Sequence, residues 1–307
     1  MVILKLFYEL LPLLALGYLI GRYKPELSSQ IAKPLINYGV PVSLMGLLLK
    51  SGLDWLLFQA LVMALLVIGI LIAAIRTLPK IRGHIGSRSL LLGSLFGNSG
   101  YFGIPVSLAL LPSESLNFSI GYDLGATLLV WSLGPMLLST SSQEQKKKAN
   151  WKIFINALTS SPASKGLVGA MFVQLTPWNT QITSFLSIPS GIVIVLALMV
   201  VGIRLGAFEQ ADKPVKRDFR LLLQPSLLIK LIILPSLMLI LSKALNLSDL
   251  MCNALVLQAA TPTAISVLLL AEAYGQEQKI ATSLVTYSTV MSLITIPFWF
   301  LFLQYII

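Results

Sequence analysis

One cysteine, Cys252, and one histidine, His84, stand in 307 residues. A single cysteine closes no disulfide within the chain, and so little Cys and His leaves no zinc cluster and no Ser-His-Asp or Cys-His nucleophile system. Hydrolytic chemistry is thereby nearly excluded, and no cofactor is expected. The sequence has no G-x-x-x-x-G-K-[ST] loop, so nucleotide hydrolysis within this chain drives nothing. Charge is also scarce, at 11% of residues, against about 25% in a soluble domain. Hydrophobic side chains make up 56% of the chain and the mean hydropathy is +0.85, which leaves too little polar surface to cover a water-soluble fold. Secondary transport, a channel or a receptor remain.

What is present is a series of ten apolar runs, each of roughly 20 residues and long enough to cross a hydrocarbon core as a helix. They fall near residues 4–20, 33–49, 55–75, 88–110, 119–138, 162–176, 183–203, 226–245, 250–271 and 281–304. In the first run the charges Arg22 and Lys24 follow the apolar stretch, which reads as a span rather than a cleaved leader. The net charge of +10 would raise nucleic acid as a partner of a soluble protein, but here it sorts by loop. With the N-terminus outside, the cytoplasmic loops collect most of the 22 basic residues, including Arg76, Lys80, Arg82, Arg88, Lys146, Lys147 and Lys148. The outer side keeps only Lys5, Lys50 and Lys243, while Lys165 and Lys230 lie near the cytoplasmic ends of the sixth and eighth spans. The positive-inside rule then places both termini outside and residues 140–152 in the cytoplasm. Nucleic acid is not expected as a partner, and the lipid bilayer is.

Five spans precede the polar segment Ser141–Lys148 and five follow it. An odd number per half sets two structural repeats in opposite orientations, the plan of many secondary transporters. The expected fold is all-α, with ten transmembrane helices in two inverted five-helix repeats, residues 1–139 and 153–307. Proline recurs at matching places, Pro41 and Pro189 in the second span of each half and Pro105 and Pro262 in the fourth.

The fourth span reads Leu95-Phe96-Gly97-Asn98-Ser99-Gly100-Tyr101-Phe102-Gly103-Ile104-Pro105. Three glycines, an asparagine and a proline make a continuous helix improbable there. Glycines at this spacing also suit close helix packing, as Gly93 and Gly97 do. The ninth span repeats the interruption with Gln258-Ala259-Ala260-Thr261-Pro262-Thr263. Paired interruptions at corresponding positions point to a transporter's binding site. Crossed broken helices present unpaired N–H groups and the positive ends of two dipoles, which suits an anion. No Lys or Arg is expected deep in a span, so helix ends and the neutral donors Asn98, Gln258 and Thr261 must hold the charge.

The stretch Gly97–Pro105 resembles the fourth-span motif of the auxin efflux carrier family of membrane transporters. Asn37–Pro41, Asp123–Pro135 and Ala260–Ala264 resemble that family's second, fifth and ninth spans. The resemblance implies a fold related to that of the bile-acid symporters, with the fourth and ninth helices crossed. It also implies a scaffold of spans 1, 2, 6 and 7, a mobile transport domain, and a homodimer. Members carry organic anions such as auxin and dicarboxylates including malonate. The long hydrophilic loop of the plant hormone carriers is replaced here by about a dozen residues around Lys146.

Acids inside spans are candidates for function because burying a carboxylate is costly. Glu9 and Asp123 are candidates for proton coupling, whereas Glu272 sits at the cytoplasmic end of the ninth span. The tenth span carries Thr282, Ser283, Thr286, Tyr287, Thr289 and Ser292, a polar face that also fits helix packing. His84 reads as a solvated loop residue, and segment 151–160 as lying in the cytoplasmic interface. The reading that results is a secondary active transporter or facilitator moving a small organic anion out of the cell by alternating access, seated in the plasma membrane or a bacterial inner membrane. Its substrate contacts are expected to be Asn98, Ser99, Tyr101, Pro105, Gln258, Thr261, Pro262 and Thr263. The rival readings are a sodium-coupled organic anion symporter of the bile-acid type and a membrane sensor that binds without translocating.

Overall fold

The computed structural model describes residues 11–24, 26, 27, 30, 34–79, 83, 85–138, 162–211, 217–275 and 277–306. Glu9, His84, the linker 140–152 and segment 151–160 lie outside the described residues. Within them the chain is helical throughout, apart from turns and one isolated antiparallel bridge, Gly97 to Thr263.

In chain order the helices are α1 (Leu11–Tyr23), α2 (Val40–Ser51), α3 (Trp55–Thr77), α4 (Arg88–Leu95), α5 (Ile104–Leu110), α6 (Leu116–Leu138), α7 (Pro162–Gln174), α8 (Asn179–Ala211), α9 (Arg217–Leu228), α10 (Leu234–Ala244), α11 (Asp249–Ala259), α12 (Ile265–Ala273) and α13 (Gln278–Ile306). Three continuous stretches, Trp55–Thr77, Leu221–Ala244 and Gln278–Ile306, are by length and composition able to cross a membrane. Polar residues set several helix starts. Asp54 Oδ1 accepts from the Leu57 N–H at 3.2 Å, Ser87 Oγ from Leu90 at 3.1 Å and Ser248 Oγ from Met251 at 3.4 Å, each satisfying a donor that the first turn leaves open.

Three π turns, Leu35–Gly39, Ser99–Gly103 and Ile229–Ile233, each run directly into an α-helix with proline at its second position: Pro41, Pro105 and Pro235. The cause is common to all three. Proline has no N–H to donate and its ring crowds the carbonyl four residues back, so the preceding turn widens. At Pro235 that carbonyl belongs to Leu231, and it accepts instead from the indole Nε1–H of Trp299 at 2.9 Å. Pro189, Pro225 and Pro297 remain inside helices.

The helices pack as two groups. In one, α1 lies along α8, and α2 packs on both α7 and α8. Gly17 and Gly21 on α1 meet Gly202 and Gly206 on α8 so closely that a Cβ at Gly202 would stand 2.9 Å from the Tyr18 backbone nitrogen and 3.0 Å from Gly17 Cα. Small residues four apart on both helices are what permits backbone contact of this kind. In the other group α3 packs along α6, with Gly121 and Gly125 against the Leu57 and Leu61 carbonyls, and α4, α5 and α9 to α13 complete the body. Between the groups runs a separate buried cluster of Val40, Leu44 and Leu48 from α2, Ile104 from α5, Leu116, Ile120 and Leu124 from α6, and Ala170 from α7. The seam is therefore mostly aliphatic. A polar tie also spans it, the Asn117 side-chain amide donating to the Gly52 carbonyl at 2.8 Å.

Candidate functional site

The fourth predicted span is α4, a break at residues 96–98, the π turn Ser99–Gly103 and α5. The ninth is α11, a break at 260–264 and α12. A backbone that leaves the helix at membrane depth must find partners within the protein, and here each break supplies the other. The Asn98 N–H donates to the Pro262 carbonyl at 2.7 Å and the Ala264 N–H to the Phe96 carbonyl at 3.0 Å, closing an antiparallel bridge around Gly97 and Thr263. The expectation was a break at proline. In the ninth span Pro262 does lie in the break, but in the fourth the chain leaves the helix at Phe96, nine residues before Pro105, which belongs to the restarted helix and is buried. Glycine explains the position. A Cβ on Gly97 would collide with Thr261 Oγ1 and stand 2.9 Å from Lys230 Nζ, so the crossing forms where the backbone carries no side chain.

The carbonyls at the ends of the two leading half-helices are capped by side chains from elsewhere. Thr263 Oγ1 donates to the Gly93 carbonyl of α4 at 3.0 Å. Lys230 Nζ donates to the Ala259 carbonyl of α11 at 2.6 Å. The Thr263 N–H in turn donates to Ser288 Oγ of α13 at 2.9 Å. All of these side chains are buried.

Sequence-predicted residues converge here to different degrees. Asn98, half-buried, accepts from the N–H groups of Phe102 and Gly103 through its backbone carbonyl, while its side chain has no hydrogen-bond partner among the described residues. Ser99 opens the π turn, and its hydroxyl donates to Asp123 Oδ1 at 2.6 Å. Asp123 itself is buried on α6, two turns from its start, with a Cβ on Gly100 falling 3.0 Å from Oδ1. Gln258, fully buried in the last turn of α11, donates from Nε2 to Ser107 Oγ at 3.2 Å, and its Oε1 has no partner although it lies against Gly103. Thr261 turns its hydroxyl back to the Gln258 carbonyl at 2.7 Å. Tyr101, half-buried, sits on the π turn beyond the break. Glu272 falls on the last turn of α12.

One expectation is overturned. Lys230 is not at a cytoplasmic helix end. It is fully buried, in the π turn near the middle of the Leu221–Ala244 stretch, and it reaches the crossing. The span starts earlier than Gln224 and Pro225 suggested, because Pro225 is accommodated inside α9. The polar face foreseen on α13 is mostly self-satisfied: Thr282, Thr286 and Ser292 bond to carbonyls of their own helix at 2.9, 3.0 and 2.7 Å. Ser288, which the sequence reading passed over, is the α13 hydroxyl that meets the break, and Ser107 on α5 was missed likewise. A groove of about 980 Å³ also runs between α9, the Ile229–Ile233 turn and α13, lined mainly by aliphatic side chains such as Leu228, Ile232 and Met291. It contains none of the crossing residues.

The chain matches the membrane transport protein family over residues 9–300. It is 27% identical over 303 residues to an uncharacterised transporter of Methanothermobacter thermautotrophicus, covering 95% of each chain. It is 26% identical over 215 residues to an uncharacterised transporter of Methanocaldococcus jannaschii, covering 68% of this chain and 66% of that protein. With two membrane-depth breaks bridged to each other and a family match along almost its whole length, the chain is an integral membrane transporter, not an enzyme, and belongs to the membrane transport protein family, the auxin efflux carrier family that its motifs resemble.

Proposed function

We propose that this transporter moves a small organic anion, a carboxylate, out of the cell by alternating access. The observation that carries the proposal is the bridged crossing: α12 and the helix that starts at Ser99 both begin there, with the Asn98 side chain and Gln258 Oε1 left open beside them. The first N–H groups of a helix lack intrahelical partners and carry the positive end of its dipole. Two such ends and neutral polar side chains favour a carboxylate over a cation.

An inverted repeat of ten spans, residues 1–139 and 153–307, accounts for the pairing pattern. If spans five apart correspond, α1 on α8 is the counterpart of α7 on α2, and both contacts are extensive. Near the matching prolines of the second and seventh spans, Ser43 Oγ donates to the Ser190 carbonyl at 2.9 Å and Ser190 Oγ to the Ser43 carbonyl at 3.2 Å. A reciprocal exchange of that kind is what a local two-fold axis produces, and the Gly97–Thr263 bridge has the same character. The group α1, α2, α7 and α8 then serves as a scaffold. The group with the crossing slides against it along the aliphatic seam. In this reading both termini face outward in the plasma membrane and the linker 140–152 faces the cytoplasm. Asp123 couples transport to protons through its bond to Ser99 at the start of the restarted helix.

Proteoliposomes loaded with labelled malonate test the proposal. Efflux that depends on the protein, and falls at least tenfold in Asn98→Ala, is the expected result. A purified chain that binds malonate or another carboxylate without moving it would assign the protein to sensing instead.

A further inference from the structure

Lys230 is the side chain at the crossing that capping alone does not explain. Its ammonium is wholly buried, near the middle of a membrane-crossing stretch. The described residues place no carboxylate within ion-pair distance of it. Leaving a buried charge without a counter-charge is costly, and charged groups persist at that depth where function uses them. One of the three N–H donors of the ammonium goes to the Ala259 carbonyl. The nitrogen lies over Gly97, 2.9 Å from where a Cβ there would stand, so it sits at the crossing itself. The other leading half-helix needs no charge for the same task. Its end carbonyl at Gly93 is capped by the neutral hydroxyl of Thr263.

The place Lys230 occupies is informative. The carbonyl end of a broken membrane helix carries the negative end of its dipole, and in transporters such ends hold the coupling cation. Here the chain fills that place with its own ammonium. We infer that Lys230 is the built-in counter-charge of the anion site, standing where a metal cation would otherwise sit, so that carboxylate binding requires no sodium. The inference rests on the carboxylate reading above and adds the residue that neutralises the substrate.

The test is thermal unfolding of the purified protein with malonate, succinate, acetate and indole-3-acetate as choline salts, repeated as sodium salts at equal ionic strength. Lys230→Gln keeps an N–H donor on a side chain one bond shorter and removes the charge. Lys230→Met fills the same space and serves if the Gln variant aggregates. The expected result is that at least one anion raises the wild-type midpoint equally in choline and sodium, with a ten-fold or greater loss of apparent affinity in Lys230→Gln. An anion that stabilises wild type and Lys230→Gln with the same concentration dependence overturns the role of Lys230 and leaves the substrate class standing. Stabilisation of the wild type only in sodium overturns the resident-cation inference without any variant. No response of the wild type to any carboxylate removes the substrate class, and this inference with it.

Discussion

Thr263→Val isolates one hydrogen bond at the crossing. The replacement keeps the branched shape of a side chain that is 1% exposed and removes the hydroxyl that donates to the Gly93 carbonyl at 3.0 Å. Gly93 lies in the last turn of α4, where carbonyls have no intrahelical partner. Its surroundings are largely apolar, with Leu284 and the methyl of Thr263 packed against the same residue. A buried acceptor stripped of its donor costs about 1–3 kcal/mol. For a chain this long the entropy of unfolding scales to roughly 0.6 kcal/mol per degree, so the midpoint should fall by about 2–5 °C. Thr263→Ser, which keeps the donor, should lose less than half as much. Differential scanning fluorimetry in one detergent, with malonate efflux measured in parallel, reads both effects. An unchanged midpoint in Thr263→Val would mean that the Thr263 hydroxyl does not cap the Gly93 carbonyl as described.

Gly97→Ala should abolish efflux and lower the midpoint by several degrees, because the added methyl meets Thr261 Oγ1 and the Lys230 ammonium and forces the bridge apart. Asp123→Asn should leave a folded protein whose efflux no longer varies with the imposed pH gradient. Efflux that keeps its full pH dependence in this variant would end the proton-coupling role. Gly202→Leu should destabilise by at least about 1–3 kcal/mol, since every close neighbour of the new Cβ is α1 backbone that cannot rotate away. Thermal midpoints equal to the wild type would refute the α1–α8 contact.

Much of this was open to reading from residue type. The breaks announced themselves through Gly97, Asn98, Gly100 and Pro262, because few residues pay so little to leave a helix and few helices tolerate so many of them. Asp123 stood out because a carboxylate within an apolar run has few bland explanations. Lys230 did not stand out. A lysine beside Gln224 and Pro225 looks like the polar end of a span, and its partner is a main-chain carbonyl released only because a helix nearly thirty residues later is interrupted. Side-chain patterns carry no trace of such a partner. Ser288 was hidden for the opposite reason, as one hydroxyl among many on α13, most of which bond to their own helix. The exact point of the fourth-span break was illegible too. Proline marks where a helix cannot continue regularly, but the site of departure was chosen by the partner backbone at Pro262 and Thr263.

Pro235 has a consequence beyond its own helix. A π turn spends about one residue more per turn than an α-helix does, and an extra residue rotates the positions on either side of it by about 100° relative to each other. Lys230 lies inside the turn that Pro235 widens, and the carbonyl this frees is taken up by Trp299. The proline and the tryptophan thus help to set the angular phase of the ammonium. Deleting a single residue from Ile229–Ile233 would keep the span hydrophobic and helical while swinging its one buried charge off the crossing, away from Ala259.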